Sequence, residues 1–197
     1  MKEEKGEGII LRAIALNDSK RILTAFLPHE GVISLAARAI SPSLGRLTAA
    51  TSPLSRSELV YRRGRGEVYK LIEATLLADH LALRGCADRL DCAGEIFQLL
   101  LHTQLPGKPA PLLYELTKAY LDKLQTTSSP KNLVASYFLK FLKHEGLFLW
   151  TQTVPPGFNK EEWHLAGSLA SSRSFQEIES FLIDTNFFKK VKKFLIN

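Results

Sequence analysis

Three arginines, Arg62, Arg63 and Arg65, crowd around Gly64 and Gly66 in the first half of the chain. Guanidinium groups present several donors in a fixed plane, and they pair well with carboxylates and phosphates. A cluster of this kind therefore predicts contact with the phosphates of a polyanion. The alternative interpretation is a solvated loop that binds nothing, and we favour binding because the net charge and the expected topology agree with it.

The residues on both sides of this cluster have the two-residue period of β-strands. Leu59 and Tyr61 alternate with polar neighbours before the cluster, and the alternation resumes after it. Two strands joined by a glycine-containing loop predict a hairpin over residues 57–80. Its tyrosines, Tyr61 and Tyr69, could either stack on nucleic-acid bases or pack at the rim of a barrel.

Because two strands alone are marginally stable in water, the hairpin needs further strands, and the preceding sequence supplies them. Residues 1–7 are charged and are expected to be loose. Turn-forming residues separate three more predicted strands, Gly8–Leu16, Lys20–Leu27 and Val32–Ile40. The stretch Ser41–Arg56 predicts either a long loop or a short helical turn. Five short strands before the first main helix favour a Greek-key barrel.

After residue 80 the apolar period changes to three and four residues, which indicates amphipathic helices. Prolines, glycines and capping residues separate four predicted helices, which run from Leu81 to about His102, from Pro111 to Leu124, from Pro130 to near Gly146, and from Ser174 to Leu195. The wide apolar stripes and short connections of the middle helices predict a bundle. The expected fold class is α+β, with an N-terminal five-stranded OB-fold barrel over residues 1–80 and a C-terminal helical bundle domain over residues 81–197.

The composition favours an anionic partner. The 197 residues include 26 Lys and Arg against 20 Asp and Glu, which gives a formal net charge of +6. Nucleic acid is the first expectation for such a partner, and a membrane surface is the second. No apolar run is long enough to span a membrane, and the N-terminus lacks the apolar core of a signal peptide. We therefore expect a cytoplasmic, nucleoid-associated protein.

Familiar catalytic and metal motifs are absent from the sequence. It contains no P-loop, no H-E-x-x-H zinc motif, no nucleophile elbow and no dinucleotide-binding glycine pattern. The histidines are scattered, and Cys86 and Cys92 lie six residues apart in a helical pattern, where we expect two buried, reduced thiols. The prediction is a protein without catalytic residues, cofactor or bound metal.

In an OB-fold barrel the ligand lies across strands 2 and 3, between the loops that join strands 1–2 and 4–5. Basic residues fall at these places. The predicted nucleic-acid-binding residues are Lys20 and Arg21 at the first turn, Arg38 on the third strand, Arg46 in the long loop, and Arg62, Arg63 and Arg65 at the hairpin tip. They would contact phosphates without reading base sequence. A second basic run, Lys189–Lys193, ends the last helix, where the helix dipole alone favours lysine, so we interpret it as mainly structural.

The order of these features resembles the RecO family of bacterial DNA repair and recombination mediators. The similarity runs through the segments ILTAFLPHEGVISLAARAI, SPSLGR and LSRSELVYRRGRGEVYKLIEATLLADH, and it is more diffuse in ASYFLKFLKHEGLF. The order of the segments carries the resemblance, since none of them is diagnostic by itself.

The resemblance implies an OB-fold domain that binds single- and double-stranded DNA, followed by a helical domain. It also implies annealing of complementary strands, recruitment by the C-terminal tail of single-strand-binding protein, and cooperation with RecR in loading RecA onto coated DNA, without nucleotide hydrolysis.

Many members of the family carry a four-cysteine zinc module where residues 150–170 of this chain have no cysteine, so we expect a zinc-free member. Two alternatives stay open. An OB-fold protein that binds RNA would prefer RNA to DNA of the same sequence. A scaffold that binds only proteins would not need the arginines of the hairpin tip.

Overall fold

The computed structural model describes residues 3–17, 20–38, 45–64, 66–148 and 153–196, except the side chains of residues 45–47 and 196. The chain forms two compact units. The first consists of Met1–Leu81 with Phe97–Lys118, and the second consists of Ala82–Ile96 with Ala119–Asn197. The domain boundary at residue 80 stays a prediction.

The first unit is built around a closed five-stranded barrel. Its strands are β1 (Glu3–Asn17), β2 (Lys20–Leu27), β3 (Gly31–Arg38), β4 (Arg56–Arg62) and β5 (Val68–Ala78). They are ordered β1-β2-β3-β5-β4 around the barrel, and β3 and β5 form the one parallel pair among these neighbours. The predicted OB-like barrel is therefore confirmed.

The barrel is held together by its apolar interior. Along β4, Ser57, Leu59 and Tyr61 are buried, while the residues between them are half-buried, as the two-residue period predicts. The buried cluster contains Ile10, Leu23, Ala25, Leu27, Ile33, Leu35, Ala37, Leu59 and Tyr61. Burial of each large side chain contributes about 1.5–3 kcal/mol, so this interior specifies which face of each strand points inward.

The prediction that residues 1–7 are loose is wrong for the described part of this segment. Strand β1 begins at Glu3, and its first residues pair with β4 in a register that runs from Glu3 opposite Arg62 to Ile9 opposite Arg56. Charged residues can form a strand here because backbone hydrogen bonds to β4 and ion pairs on the solvent side replace apolar burial. Only the pairing with a distant strand reveals this.

The stretch between β3 and β4 contains the short helix α1 (Gly45–Ala50), so the helical-turn interpretation is confirmed for these residues. Residues 39–44 lie outside the described part of the chain, as do the last two positions of the predicted third strand. The hydroxyls of Ser55 and Ser57 donate hydrogen bonds of 3.1 and 2.8 Å to the carbonyl oxygen of Ala50. These buried serines satisfy the C-terminal end of the helix against the barrel.

Parts of helices α2 (Ala87–Thr103) and α3 (Pro111–Leu124) belong to the first unit. The loop between these helices holds the β2–β3 turn through backbone hydrogen bonds from Gly107 to Glu30 (2.8 Å) and from Ala110 to Pro28 (2.9 Å). The ring of Tyr114 packs on Phe26 with a centroid separation of 5.6 Å. Within this unit, the helical segment fixes the turn and covers the outer side of β2.

Helix α4 (Pro130–His144) is the centre of the second unit, and its residues from Asn132 to Leu139 are all buried. It packs against α5 (Lys160–Ser171), α6 (Phe175–Ser180) and α7 (Thr185–Ile196). The predicted helices at Pro111 and Pro130 are confirmed. Among the described helices, none is long and apolar enough to cross a membrane.

Two predictions for the helical part are corrected, and the structure adds one helix that was not predicted. The first helix starts as a 3₁₀ turn (Leu81–Gly85), and only then does α2 begin. Helix α5 was not predicted, although Asn159 and Glu162 form a capping box at its start. The single last helix is divided into α6 and α7, because Asp184 caps a new helix by accepting a 2.6 Å hydrogen bond from the backbone nitrogen of Phe187.

The two cysteines differ in their environments. Both thiols are free, but only Cys92 is buried, whereas Cys86 is half-buried. The expectation of two buried thiols is therefore wrong for Cys86. Burial raises the pKa of the Cys92 thiol to about 12, and the nearby Glu95 and Asp88 add to this shift. Cys92 is accordingly a protonated, unreactive core residue at neutral pH.

Candidate nucleic-acid interface

Three basic side chains from three strands line one open groove on the outside of the barrel. Lys20, Arg38 and Lys70 share this groove, which has a volume of about 490 Å³, and Ala36, Ala37, Leu71 and Ile72 complete its lining. We call it the basic groove. It combines positive charge with an apolar floor, which suits a ligand made of phosphates and flat bases.

The strand register explains how residues that are distant in sequence meet in this groove. Lys20 lies directly opposite Arg38 in the antiparallel β2–β3 pair. Lys70 lies opposite Ala36 in the parallel β3–β5 pair, two residues from Arg38 on the same face of β3. The parallel pairing that closes the barrel therefore brings β5 beside the two cations of β2 and β3.

The cations of the basic groove are available to a ligand. Lys20, Arg38 and Lys70 are exposed, and none of them forms an ion pair with another described residue. Three cations in an open groove whose described lining contains no acidic residue attract a polyanion, and each phosphate they neutralise releases counterions. Ile72 beside them is 40% exposed and offers apolar surface.

The arginines of the β4–β5 turn have a different environment. Arg62 Nη2 lies 2.7 Å from Glu3 Oε1, and Arg63 lies 3.2 Å from Glu4 Oε1 and 2.6 Å from Glu30 Oε2. Within the protein, these two predicted phosphate contacts already pair with carboxylates. Their role in binding nucleic acid stays a prediction.

The tyrosines beside this turn pack on each other. The rings of Tyr61 and Tyr69 are stacked with a centroid separation of 5.9 Å, and the Arg63 guanidinium lies 5.5 Å above the Tyr69 ring. Tyr61 is only 2% exposed, and its burial, together with nearby Glu30 and Glu4, raises its pKa to about 12. For Tyr61, packing is therefore the correct interpretation, because its ring is not accessible to a base.

The other predicted contacts are dispersed. Arg21 follows Lys20 on β2, so its half-buried side chain points to the opposite face and does not line the basic groove. Arg46 lies in α1, but its side chain is outside the described part of the chain, and so is Arg65. In the run at the end of α7, Lys190 pairs with Glu162 and Lys192 with Glu95, which agrees with a mainly structural role.

Sequence reasoning missed two features of this surface. Lys70 was predicted to lie in a strand but not to belong to the site. Because Lys70 and Ile72 are two residues apart in that strand, the sequence could have placed both on one face. The carboxylates Glu3, Glu4 and Glu30 were not connected with the arginines at all. No local signal could have made that connection, because it depends on the pairing of β1 with β4.

The described residues contain no group of three or more His, Cys, Asp or Glu side chains that could hold a metal ion. Part of the region compared with the zinc module, residues 150–152, lies outside the description. The zinc-free character of this chain therefore stays a prediction.

Comparison with known proteins finds a protein family that matches the barrel. Residues 1–79 match the family described as Recombination protein O N terminal. The chain is 29% identical over 148 residues to the DNA repair protein RecO of Anaeromyxobacter dehalogenans strain 2CP-1, an alignment that covers 75% of this chain and 58% of that relative. It is 26% identical over 140 residues to RecO of Chlamydia pneumoniae, covering 71% and 55% of the two chains.

A third relative shows a similar identity and coverage. The identity to RecO of Acetivibrio thermocellus is 25% over 150 residues, with 76% of this chain and 59% of the relative covered. The chain thus spans somewhat under three fifths of the length of these curated relatives. The family match over residues 1–79 includes the barrel strands and the basic groove.

Proposed function

Since this chain belongs to the RecO family of DNA repair proteins, we propose that it is a non-catalytic mediator of DNA repair and recombination that binds single- and double-stranded DNA. The observation that carries this proposal is the basic groove, where Lys20, Arg38 and Lys70 converge without an acidic partner among the described residues. The groove lies on the strands where barrels of this type bind oligonucleotides.

In this proposal the three cations contact phosphates of the DNA backbone and do not read base sequence. The ligand crosses β2 and β3, and Ile72 contacts sugars or bases beside the phosphates. Arg21, Arg46 and Arg65 are further predicted contacts around this path. Arg62 and Arg63 contribute only when phosphates displace the carboxylates that now hold them.

Annealing and loading of the recombinase are the finer parts of the proposal, and the family relationship supports them. Two complementary strands that share one basic surface repel each other less, because the protein screens their phosphates. The proposed partners are RecR and the C-terminal tail of single-strand-binding protein, with RecA as the recombinase that is loaded in the cytoplasm. No described residue is assigned to these protein partners.

The test is binding of fluorescent single-stranded DNA across a salt series. The groove variant changes Lys20, Arg38 and Lys70 to Glu, and the control changes Lys131, Lys189 and Lys193, three exposed lysines elsewhere, to Glu, so both have the same net charge. We expect the groove variant to bind at least about tenfold more weakly, with a slope of log affinity against log salt that is smaller by about 2.

The control variant should lose much less affinity and should keep the wild-type slope. If the groove variant bound DNA with the wild-type affinity, the basic groove would not be the DNA site. If only the control variant lost binding, the DNA site would lie on the helices. Competition with RNA of the same sequence separates the alternatives, since a clear preference for RNA would favour an RNA-binding protein. A complete absence of binding to either nucleic acid would favour a protein-only scaffold.

A further inference from the structure

We propose that Glu3, Glu4 and Glu30, which we call the carboxylate cluster, act as internal substitutes for phosphate that occupy Arg62 and Arg63 and so end the polyanion site at Lys70. The cluster would set how many phosphates the barrel neutralises and how tightly it binds them. This inference rests on the proposed function, because it concerns the edge of the same DNA-binding surface.

The first observation is the order of charges across three adjacent strands. Glu3 of β1 lies opposite Arg62 of β4, and Arg62 lies opposite Lys70 of β5. Directly opposite residues have Cβ atoms about 4.5–5.5 Å apart, so Arg62 is the next cation beside the basic groove. The 2.7 Å ion pair with Glu3 draws its guanidinium away from the groove and towards β1.

The second observation is the double pairing of Arg63. Its guanidinium contacts Glu4 at 3.2 Å and Glu30 at 2.6 Å, so two carboxylates surround one cation. Glu30 and Tyr69, followed by Glu4, raise the pKa of Arg63 above its ordinary value. A phosphate that approaches Arg63 therefore meets a site whose local charge is negative rather than positive.

The third observation is that the protein holds these carboxylates in place. Glu3 and Glu4 lie on β1, which pairs with β4 over seven residue pairs. Glu30 lies in the β2–β3 turn, where its carbonyl oxygen accepts a 2.8 Å hydrogen bond from Gly107. Its side chain is 19% exposed. Because the carboxylates stay nearby even when a phosphate displaces them, they continue to repel the DNA backbone.

Exposed ion pairs of this kind are weak, so a polyanion competes with them rather than being excluded. Without the carboxylates, both arginines would be free to contact phosphates. Each additional phosphate contact on single-stranded DNA steepens the salt dependence by about 0.7. Removing the carboxylate cluster should therefore change the slope of log affinity against log salt, and not only the affinity.

The experiment compares the full-length wild type with the variant Glu3→Gln, Glu4→Gln and Glu30→Gln, using fluorescent single-stranded DNA over a salt series. The charge-matched control is Asp91→Asn, Glu115→Gln and Glu161→Gln, three exposed carboxylates elsewhere. We expect the cluster variant to bind roughly five- to tenfold more tightly at low salt, with a slope steeper by about 1.4.

A further variant adds Arg62→Gln and Arg63→Gln to the cluster variant, and it should lose the gain in affinity and slope. Thermal unfolding of each protein checks that it is folded. If wild type binds DNA but the cluster variant behaves like the charge-matched control, the inference is wrong while the proposed function stands. If neither wild type nor cluster variant binds DNA, both are wrong. If only the cluster variant binds, the wild-type basic groove does not bind DNA by itself and the proposed function is wrong, although the carboxylates do keep Arg62 and Arg63 from phosphates.

Discussion

The hydroxyl of Tyr114 donates a 3.0 Å hydrogen bond to Glu7 Oε1, across more than half the length of the chain. The same carboxylate oxygen lies 2.9 Å from Arg56 Nη1 at the start of β4. Within the first unit, Glu7 therefore joins β1, β4 and the first turns of α3. Tyr114 is 1% exposed, so its hydroxyl would otherwise be buried without a partner.

Replacing Tyr114 by Phe should lower the free energy of unfolding of the first unit by about 1.5 kcal/mol, because a buried hydrogen bond to a charged group is lost. Tyr69→Phe is the control, since no hydrogen bond of its hydroxyl is seen among the described residues. Hydrogen exchange of barrel amides in urea measures this unit specifically. Equal effects of the two changes would show that the Glu7 contact is not stabilising.

The pKa of Glu7 predicts how stability depends on pH. Burial alone would raise this pKa, but the hydrogen bonds from Arg56 and Tyr114 outweigh burial and lower it below the ordinary value of 4.5. A carboxylate with a lowered folded-state pKa stabilises the fold above its unfolded pKa and loses this contribution as the pH falls through the folded value.

Glu7→Gln should therefore be less stable than wild type near pH 7, and the difference should shrink as the pH falls below about 4.5. Urea denaturation between pH 7 and pH 3 gives the two curves. The exposed Glu161→Gln variant is the control and should follow wild type throughout. A difference for Glu7→Gln that stays constant with pH would contradict this assignment.

Gly31 is required for two reasons at the β2–β3 turn. Its φ of +69° is unfavourable for other residues, and an added Cβ would lie 2.3 Å from the carbonyl oxygen of Leu105. Gly107 has a similar φ of +73°, but an added Cβ there meets nothing within 4 Å. Gly107→Ala should lower the free energy of unfolding by about 1 kcal/mol, and Gly31→Ala should lower it by about 2 kcal/mol more.

Comparison of these two alanine variants by chemical denaturation separates backbone strain from the steric clash. Barrel hydrogen exchange should show the larger effect for Gly31→Ala, because the turn it belongs to anchors both β2 and β3. Equal losses would mean that the loop at Leu105 moves aside at no cost.

Asn132 fixes the end of α6 in the second unit. Its side-chain nitrogen donates hydrogen bonds to the carbonyl oxygens of Ile178 (3.1 Å) and Phe181 (2.6 Å). Asn132→Asp replaces this donor by an acceptor that faces two carbonyl oxygens. We therefore expect the free energy of unfolding to fall by about 3 kcal/mol. Tryptophan fluorescence during unfolding reports on this unit through the buried Trp163.

The exposed Asn186→Asp variant is the matched control for this change, and it should alter stability by less than about 0.5 kcal/mol. If Asn132→Asp changed the stability as little as this control does, the two hydrogen bonds would not hold α6 in place. The break between α6 and α7 would then depend on Asp184 alone.

Local patterns in the sequence were sufficient for most of the secondary structure. The alternation around Leu59 and Tyr61 specified β4, Pro111 and Pro130 specified the starts of two helices, and Gly31 and Gly146 specified a turn and a helix end. These signals are reliable because strand period, proline geometry and positive φ depend on a few neighbouring residues. The order of the elements also carried the resemblance that the family match supports.

Only the tertiary structure decided which charges meet. The register of β1 against β4 pairs Glu3 with Arg62, and the parallel closure of β3 with β5 brings Lys70 to Lys20 and Arg38. Strand register depends on how the whole barrel closes around its apolar interior, and a shift of one residue would exchange the two faces of a strand. The sequence by itself therefore determined that basic residues surround the barrel, while the fold decided which of them are free to bind.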